Sequence, residues 1–416
     1  MERLELGWST GDEQVDAILR GVVGVFEAAY PGRVRAYYLT GSFADGTAVA
    51  TSDLDLQLVF EGALGAAEER TARRLFQACA QMSPVGIDAV AVDEARLADF
   101  ASPDLMLGGR LVYGTDIRDR LTLVPIALWA RALLHELPRF VGRMRGEPPP
   151  RLVVPLGYPD PHGPYFGYDG RVLTTRDGRR HRTTKDLVRA AGQAASGLAA
   201  WRAGRYVRSK RECAACYREA MAAGAGAGNG VGDKGGWEDW ATFLEELDRT
   251  CRAELGYLLP PAPEAKSRVR ALCARALGFE NHAFAWYREL LLEDLTRPPQ
   301  TVQVVPRWVA AIVLGLTSEA VEARLQVGAL PAAGDDQREG RERREGLRGG
   351  EGQDGRRLPA GAPVLQAWAA RMLSRVAYPG DQELYDALSA AAGSAVEDVR
   401  RVAQESLAVL RPATSG

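Results

Sequence analysis

Gly41-Ser42-Phe43-Ala44-Asp45-Gly46, followed by Ser52-Asp53-Leu54-Asp55-Leu56-Gln57-Leu58-Val59-Phe60, is the stretch on which the reading of this chain turns. Ahead of it, Ala36-Tyr37-Tyr38-Leu39-Thr40 is a short β-branched and aromatic run, so the pattern predicts strand, glycine turn, short helix and second strand. Side chains alternate along a strand, which places Asp53 and Asp55 on one face with Cα atoms roughly 6.5–7 Å apart. Two carboxylates so placed suit a pair of divalent cations, and Mg²⁺ favours hard oxygen donors together with substrate phosphates. Gly41 permits close approach of the backbone to a triphosphate, and Ser42 offers a hydroxyl and an N–H at a helix start, where anions are favoured. The alternative is an aspartate-rich turn leading into a half-buried strand. Two carboxylates inside an otherwise apolar strand argue against it, because such departures from strand propensity gather at functional sites.

With Gly41-Ser42, Gly46 and Asp53-x-Asp55 at this spacing, the chain resembles the nucleotidyltransferase superfamily of the polymerase-beta fold, most closely its aminoglycoside adenylyltransferase branch. The resemblance covers about residues 35 to 92. It implies an α+β catalytic domain with a small mixed sheet, two Mg²⁺ ions held by Asp53 and Asp55, and ATP as co-substrate. Ile87-Asp88-Ala89-Val90-Ala91-Val92 reads as a further strand whose only charge, Asp88, stands where that family places its third carboxylate, as metal ligand or general base. A surface aspartate on an edge strand is the alternative. The ending Val112-Tyr113-Gly114 is also similar to small members of the superfamily.

Length and composition frame this reading. A chain of 416 residues is too long for one ordinary core. The expected organisation is a nucleotidyltransferase-like α/β domain over 1–122, a helical bundle over 123–298 and a helical region over 299–416, faintly HEAT-like near its end, with a disordered insert at 334–357. Lys plus Arg number 52 against 54 Asp plus Glu, so overall charge gives no reason to expect a nucleic-acid surface or an acidic membrane as partner. Neither an apolar leader nor a long apolar run appears, and the chain is expected to be cytoplasmic. Five cysteines make no disulfide framework, and Cys213-Ala-Ala-Cys216, lacking a second pair, reads as packed thiols.

The local charge is less even. Between Arg171 and Arg211 there are twelve Lys or Arg against two acidic residues, and two of the chain's four lysines fall there. Thr183-x-x-Asp186 and Ser209-x-x-Glu212 look like capping boxes that would put Lys185 and Lys210 in first helical turns. A cation there opposes the helix dipole by a few tenths to about 1 kcal/mol, which a bound triphosphate would offset. The resemblance likewise implies a nucleotide-binding lysine in a segment similar to Gly204-x4-Ser209-Lys210. Solvated surface lysines are the alternative. Upstream, the aromatic loop Gly157–Gly170 offers rings either for stacking on a base or for pinning the loop to its own domain.

The expected function is transfer of a nucleoside monophosphate, AMP from Mg·ATP, to a hydroxyl of an acceptor such as an aminoglycoside-like molecule. Asp45, Asp88, Glu94 and Asp160 are the candidates for an acidic acceptor cleft. A protein or tRNA nucleotidyltransferase of antitoxin type, with the C-terminal helices as a protein-docking surface, is the rival within enzymes. A catalytically inactive nucleotide-binding scaffold is the rival outside them.

Overall fold

The computed structural model describes residues 4–97, 100–146, 151–225, 236–299 and 361–410. The helix pair expected at 308–325 and the insert at 334–357 lie outside them. The described residues are mixed α/β, with twelve α-helices and a small mixed sheet. They form two compact units, one drawn from Met1–Ile126, Arg143–Gly146 and Gly157–Glu280, the other from Ala127–Gly142, Glu147–Leu156 and Asn281–Gly416.

In the first unit, α1 (Glu13–Ala29) starts where Asp12 accepts from the backbone N–H groups of Gln14 and Val15, a cap written in the sequence. The chain continues through β1 (Val34–Thr40), the single turn α2 (Gly41–Ala44), β2 (Leu54–Phe60), α3 (Ala66–Met82), β3 (Ile87–Asp93), α4 (Glu94–Leu97) and β4 (Arg110–Gly114). The sheet order is β3-β2-β1-β4. β1 lies antiparallel to β2 and β4, while β2 and β3, joined through α3, are parallel.

Strand alternation decides what each face of this sheet carries. Leu54, Leu56, Leu58 and Phe60 of β2 join Ile87, Ala89 and Ala91 of β3 in the core beneath α1 and α3, where the Phe26 and Phe76 rings lie 4.5 Å apart. Burying each such ring contributes about 2 kcal/mol. The opposite parity, Ala36, Tyr38 and Val59, packs with Leu97, Ala101, Leu105 and Ile117 in a second core. Asp55 and Asp88 share that parity but stand at the other end of their strands, beyond the reach of this second core. Asp53 has the same parity and lies one residue ahead of β2 rather than within it.

Past β4 the first unit adds the hairpin β6 (Arg171–Thr174) and β7 (Arg180–Thr183), then α6 (Lys185–Ala203), α7 (Cys213–Ala225), α8 (Gly236–Leu247) and the start of α9 (Pro263–Thr296). The apolar spacing over 237–259 reads as one continuous helix, but α8 stops at Leu247 and a π-type stretch Asp248–Glu254 follows, closed by Gly256 and Tyr257, both at positive φ. The glycine-rich run expected to be a loop over 222–236 is α7 as far as Ala225, and residues 226–235 lie outside the described set. All five cysteines are free and buried, including the Cys213 and Cys216 pair read as packed thiols. In the 157–170 loop Phe166 stacks on Tyr158 and takes the Arg270 guanidinium over its face, and the buried Tyr168 hydroxyl donates to Glu280. Those rings pin the loop to its own unit.

The second unit holds α5 (Ile126–Arg143), the end of α9, α10 (Gly361–Arg375), α11 (Gln382–Ala391), α12 (Glu397–Leu410) and a parallel pair of two-residue strands, β5 (Leu152–Val153) and β8 (Val376–Ala377). Among the described residues no helix is long and apolar enough to cross a membrane.

Candidate active site

Gly41 follows β1 as the first residue of α2, with φ +67°, a backbone that ordinary side chains rarely adopt. The close neighbour is Asp55: a Cβ at position 41 would collide with its Oδ2. Only glycine lets the β1 turn lie this near the carboxylate, which joins the two halves of the motif physically as well as in sequence. Ser42, the next residue, is buried within the four-residue α2.

In the parallel register Asp55 stands directly beside Asp88, and Asp53 precedes it by two residues. The three carboxylates act on one another. Burial, then the charges of Asp53 and Asp88, push Asp55 up to about 7, against the opposing pull of Lys210 and Lys185. Among the described residues no side chain pairs directly with the Asp55 carboxylate. Asp53 differs. Burial raises it, but the Lys185 ammonium, by charge and by hydrogen bond, outweighs that and holds it below the ordinary carboxylate range. Asp88 is solvent-exposed on the edge strand β3. It has the exposed edge-strand position that the sequence left open as the alternative, because its parity faces away from the core that takes Ile87 and Ala89.

The two lysines arrive from different elements. Lys185 is the first residue of α6 and is buried, with Nζ 2.9 Å from Asp53 Oδ1. The capping box expected from Thr183 is absent: the cap is Thr184, whose side chain makes no bond to the first helical turn, and the Thr183 hydroxyl donates to the Arg171 carbonyl instead. Lys210 is exposed and belongs to the turn before α7, which begins only at Cys213, so it is not in a first helical turn. Its charge nonetheless reaches Asp55. Both ammonium groups lie 6.0 Å from the centre of the Tyr257 ring, and Lys210 donates to its hydroxyl at 3.4 Å. Burial holds the Tyr257 phenol well above its ordinary range, so the ring is a neutral polar wall at neutral pH.

Tyr257 escaped the sequence reading. Nothing about a tyrosine after a glycine announces a positive φ, and its neighbours are more than forty residues away in the chain. The segment around it is also what fixes the 45–53 loop: the Thr51 hydroxyl donates to the Gly256 carbonyl at 2.7 Å, and Arg252, held by two hydrogen bonds to Asp248, donates to the Thr47 carbonyl at 3.1 Å.

Other expected groups are committed elsewhere. Asp45 accepts from the Thr47 N–H and hydroxyl, Glu94 pairs with Arg35, and Asp160 accepts from the His162 N–H. Part of the basic segment is paired elsewhere, Arg176 with Asp12, Arg182 with Asp169 and Arg205 with Glu219, while Lys185, Arg189 and Lys210 bring positive charge to Asp53 or Asp55. Among the described residues no three carboxylate, histidine or cysteine side chains draw together as a ready-made metal cage. What the donor set does offer is two carboxylates, Asp53 and Asp55, with Asp55 lacking a direct counter-charge, a fit for a cation that arrives with further oxygen ligands of its own. No protein-family model matches the chain, and no curated protein matches it either.

Proposed function

We propose that this chain is a nucleotidyltransferase of the polymerase-beta type, moving AMP from ATP to a hydroxyl of an acceptor in a reaction that needs a divalent cation. The observation that carries the reading is the Asp53, Asp55 and Asp88 set on one sheet face, with Asp55 pressed against the positive-φ Gly41 and left without a direct counter-charge. Such unrelieved repulsion costs stability and suits a site completed by its ligand.

Asp53 and Asp55 would hold the Mg²⁺, which supplies charge neutralisation at the α-phosphate and the departing pyrophosphate. The chain's own groups do the rest. The acceptor hydroxyl oxygen forms a bond to the α-phosphorus as the bond to the pyrophosphate oxygen breaks, and its proton passes to a carboxylate. Asp88, exposed and in register with Asp55, is the group placed to take it. Gly41, exposed at the start of α2, would leave backbone open to the phosphates, while the exposed Lys210 would offer positive charge to pyrophosphate. An aminoglycoside-like acceptor, carrying ammonium groups beside its hydroxyls, suits the exposed carboxylate of Asp88.

The test is pyrophosphate release from ATP over a panel of aminoglycosides, tRNA and co-purifying proteins, run beside Asp53→Ala and Asp55→Ala. Turnover should appear with one acceptor and fall more than tenfold in either variant, a loss above about 1.4 kcal/mol in barrier terms. A variant that keeps wild-type rate while remaining folded would remove its carboxylate from the chemistry.

A further inference from the structure

The contact between Lys185 and Asp53 changes how many cations this site can accept. A two-ion site needs both aspartates to turn their oxygens toward metal. Here one oxygen of Asp53, Oδ1, already faces an ammonium at 2.9 Å. That ammonium is not a surface group caught in passing: the Lys185 side chain is 5% exposed, against 33% for the aspartate it meets. A buried charge that lost its partner would be costly to the fold, so the pair resists opening.

The backbone that delivers Lys185 is fastened on both sides. The Thr184 N–H and hydroxyl both donate to the Tyr257 carbonyl, at 3.0 and 3.3 Å, and Thr183 bridges to Leu258. The centre of the Tyr257 ring lies 6.0 Å from the ammonium, at the limit of cation–π reach. Arg171 and Lys210 repel it from elsewhere in the unit, which makes Asp53 its natural anchor. Asp55, by contrast, has no direct partner among the described residues and is the place where positive charge is missing.

Resting on the nucleotidyltransferase reading, we propose that Lys185 permanently fills the position of one of the two cations, so that the site takes a single divalent ion, bound through Asp55 and the remaining oxygen of Asp53, together with the nucleotide. Lysine suits this role as a compact point charge. It stabilises Asp53 before nucleotide binds and stays in place afterwards, so the positive charge of the site is partly built into the chain. Lys185 therefore acts on the substrate through Asp53 as a positioning residue, and its effect is on cation stoichiometry.

The experiment is titration of the full chain with Mn²⁺ in the presence of α,β-methylene ATP, which cannot release pyrophosphate, with free Mn²⁺ read by electron paramagnetic resonance. One Mn²⁺ should be retained per wild-type chain in the complex. Lys185→Met, which keeps the stem and removes the charge, should retain two. Two ions on the wild-type chain would overturn the inference without any appeal to the variant and would leave the nucleotidyltransferase reading intact. A folded Lys185→Met chain that still retains one would also overturn it. If neither chain takes up Mn²⁺ with the nucleotide, the proposed function itself falls, and the inference with it.

Discussion

Asp55 and Asp53 are two residues apart and have opposite fates, and the difference is made by one side chain. Lys185 neutralises Asp53, whereas Asp55 is left with burial and two like charges and is held up to about 7. This has a consequence for stability that can be read without substrate. An aspartate whose folded pKa lies above its unfolded value, near 4, binds a proton in the folded state that the unfolded chain has already released. Its contribution is fully present below about pH 4 and is lost as pH rises through about 7. With chelator present, the stability of wild type minus that of Asp55→Asn should therefore fall between pH 4 and 7, by less than about 1.4 kcal/mol per pH unit for one proton. Urea unfolding of both proteins across that range checks it, and a flat difference would mean that Asp55 titrates normally. Saturating Mn²⁺ with nucleotide should flatten the curve, because a cation compensates the charge that repulsion otherwise opposes.

At the scale of elements, the segment Asp248–Leu258 is the device that sets the site. It fixes the 45–53 loop through Thr51 and Arg252 and the start of α6 through the Tyr257 carbonyl. Arg252 is nearly buried, so replacing it with Met leaves Asp248 without its partner and the Thr47 carbonyl without its donor. We expect Arg252→Met to lower unfolding free energy by about 3 kcal/mol, measured by denaturant titration. Turnover should fall as well, since the loop leading to Asp53 loses its tie; an unchanged rate in the folded variant would separate this segment from the site. How such elements were foreseen is uneven for physical reasons. Ala66–Met82 was legible to the residue because an apolar stripe between breakers has one reading, and Ile87–Val92 was legible because β-branched residues are bounded by Gly86 and an acidic end. The Gly41, Asp53, Asp55 and Asp88 set was visible because carboxylates and a glycine interrupt apolar strands. The π-type stretch after Leu247 was not, since its apolar spacing imitates a continuing helix and only the long-range bonds of Arg252 and Thr51 give it a reason to break. Local sequence misplaced Lys210 too, because Ser209 and Glu212 satisfy each other's neighbourhood in a turn as readily as in a cap.

Across the whole molecule, near-balanced charge conceals two kinds of buried charge, and the Arg131, His135 and Asp294 network of the second unit shows what a paired one looks like. Arg131 on α5 donates from Nε to Asp294 and from Nη2 to Glu293, both at 2.7 Å, and His135, one turn on, meets Asp294 at 3.1 Å and the Tyr287 hydroxyl at 3.0 Å. A carboxylate can only accept, so His135 donates from Nε2 to Asp294 and accepts from Tyr287 at Nδ1. No such closure exists around Asp55 among the described residues, which is why the proposed ligand chemistry is assigned to that carboxylate. The closed network makes its own prediction. Burial pulls His135 below its ordinary pKa, more than Asp294 restores, and the nearby Arg131 charge acts in the same direction as burial. The unfolded chain takes up a proton near pH 6.5 that the folded one refuses, so the stabilising contribution is present above that pH and is lost as pH falls toward the folded value. Wild type should therefore weaken between pH 7.5 and 5.5 by up to about 1.4 kcal/mol per pH unit more than His135→Gln, which has no proton to gain. The Gln variant should be the less stable at pH 7.5, because the ring packed edge-on against Trp368 is replaced by a smaller side chain. Urea midpoints followed by tryptophan fluorescence at the two pH values measure both effects, and parallel acid dependence in the two proteins would show that His135 is protonated in the fold.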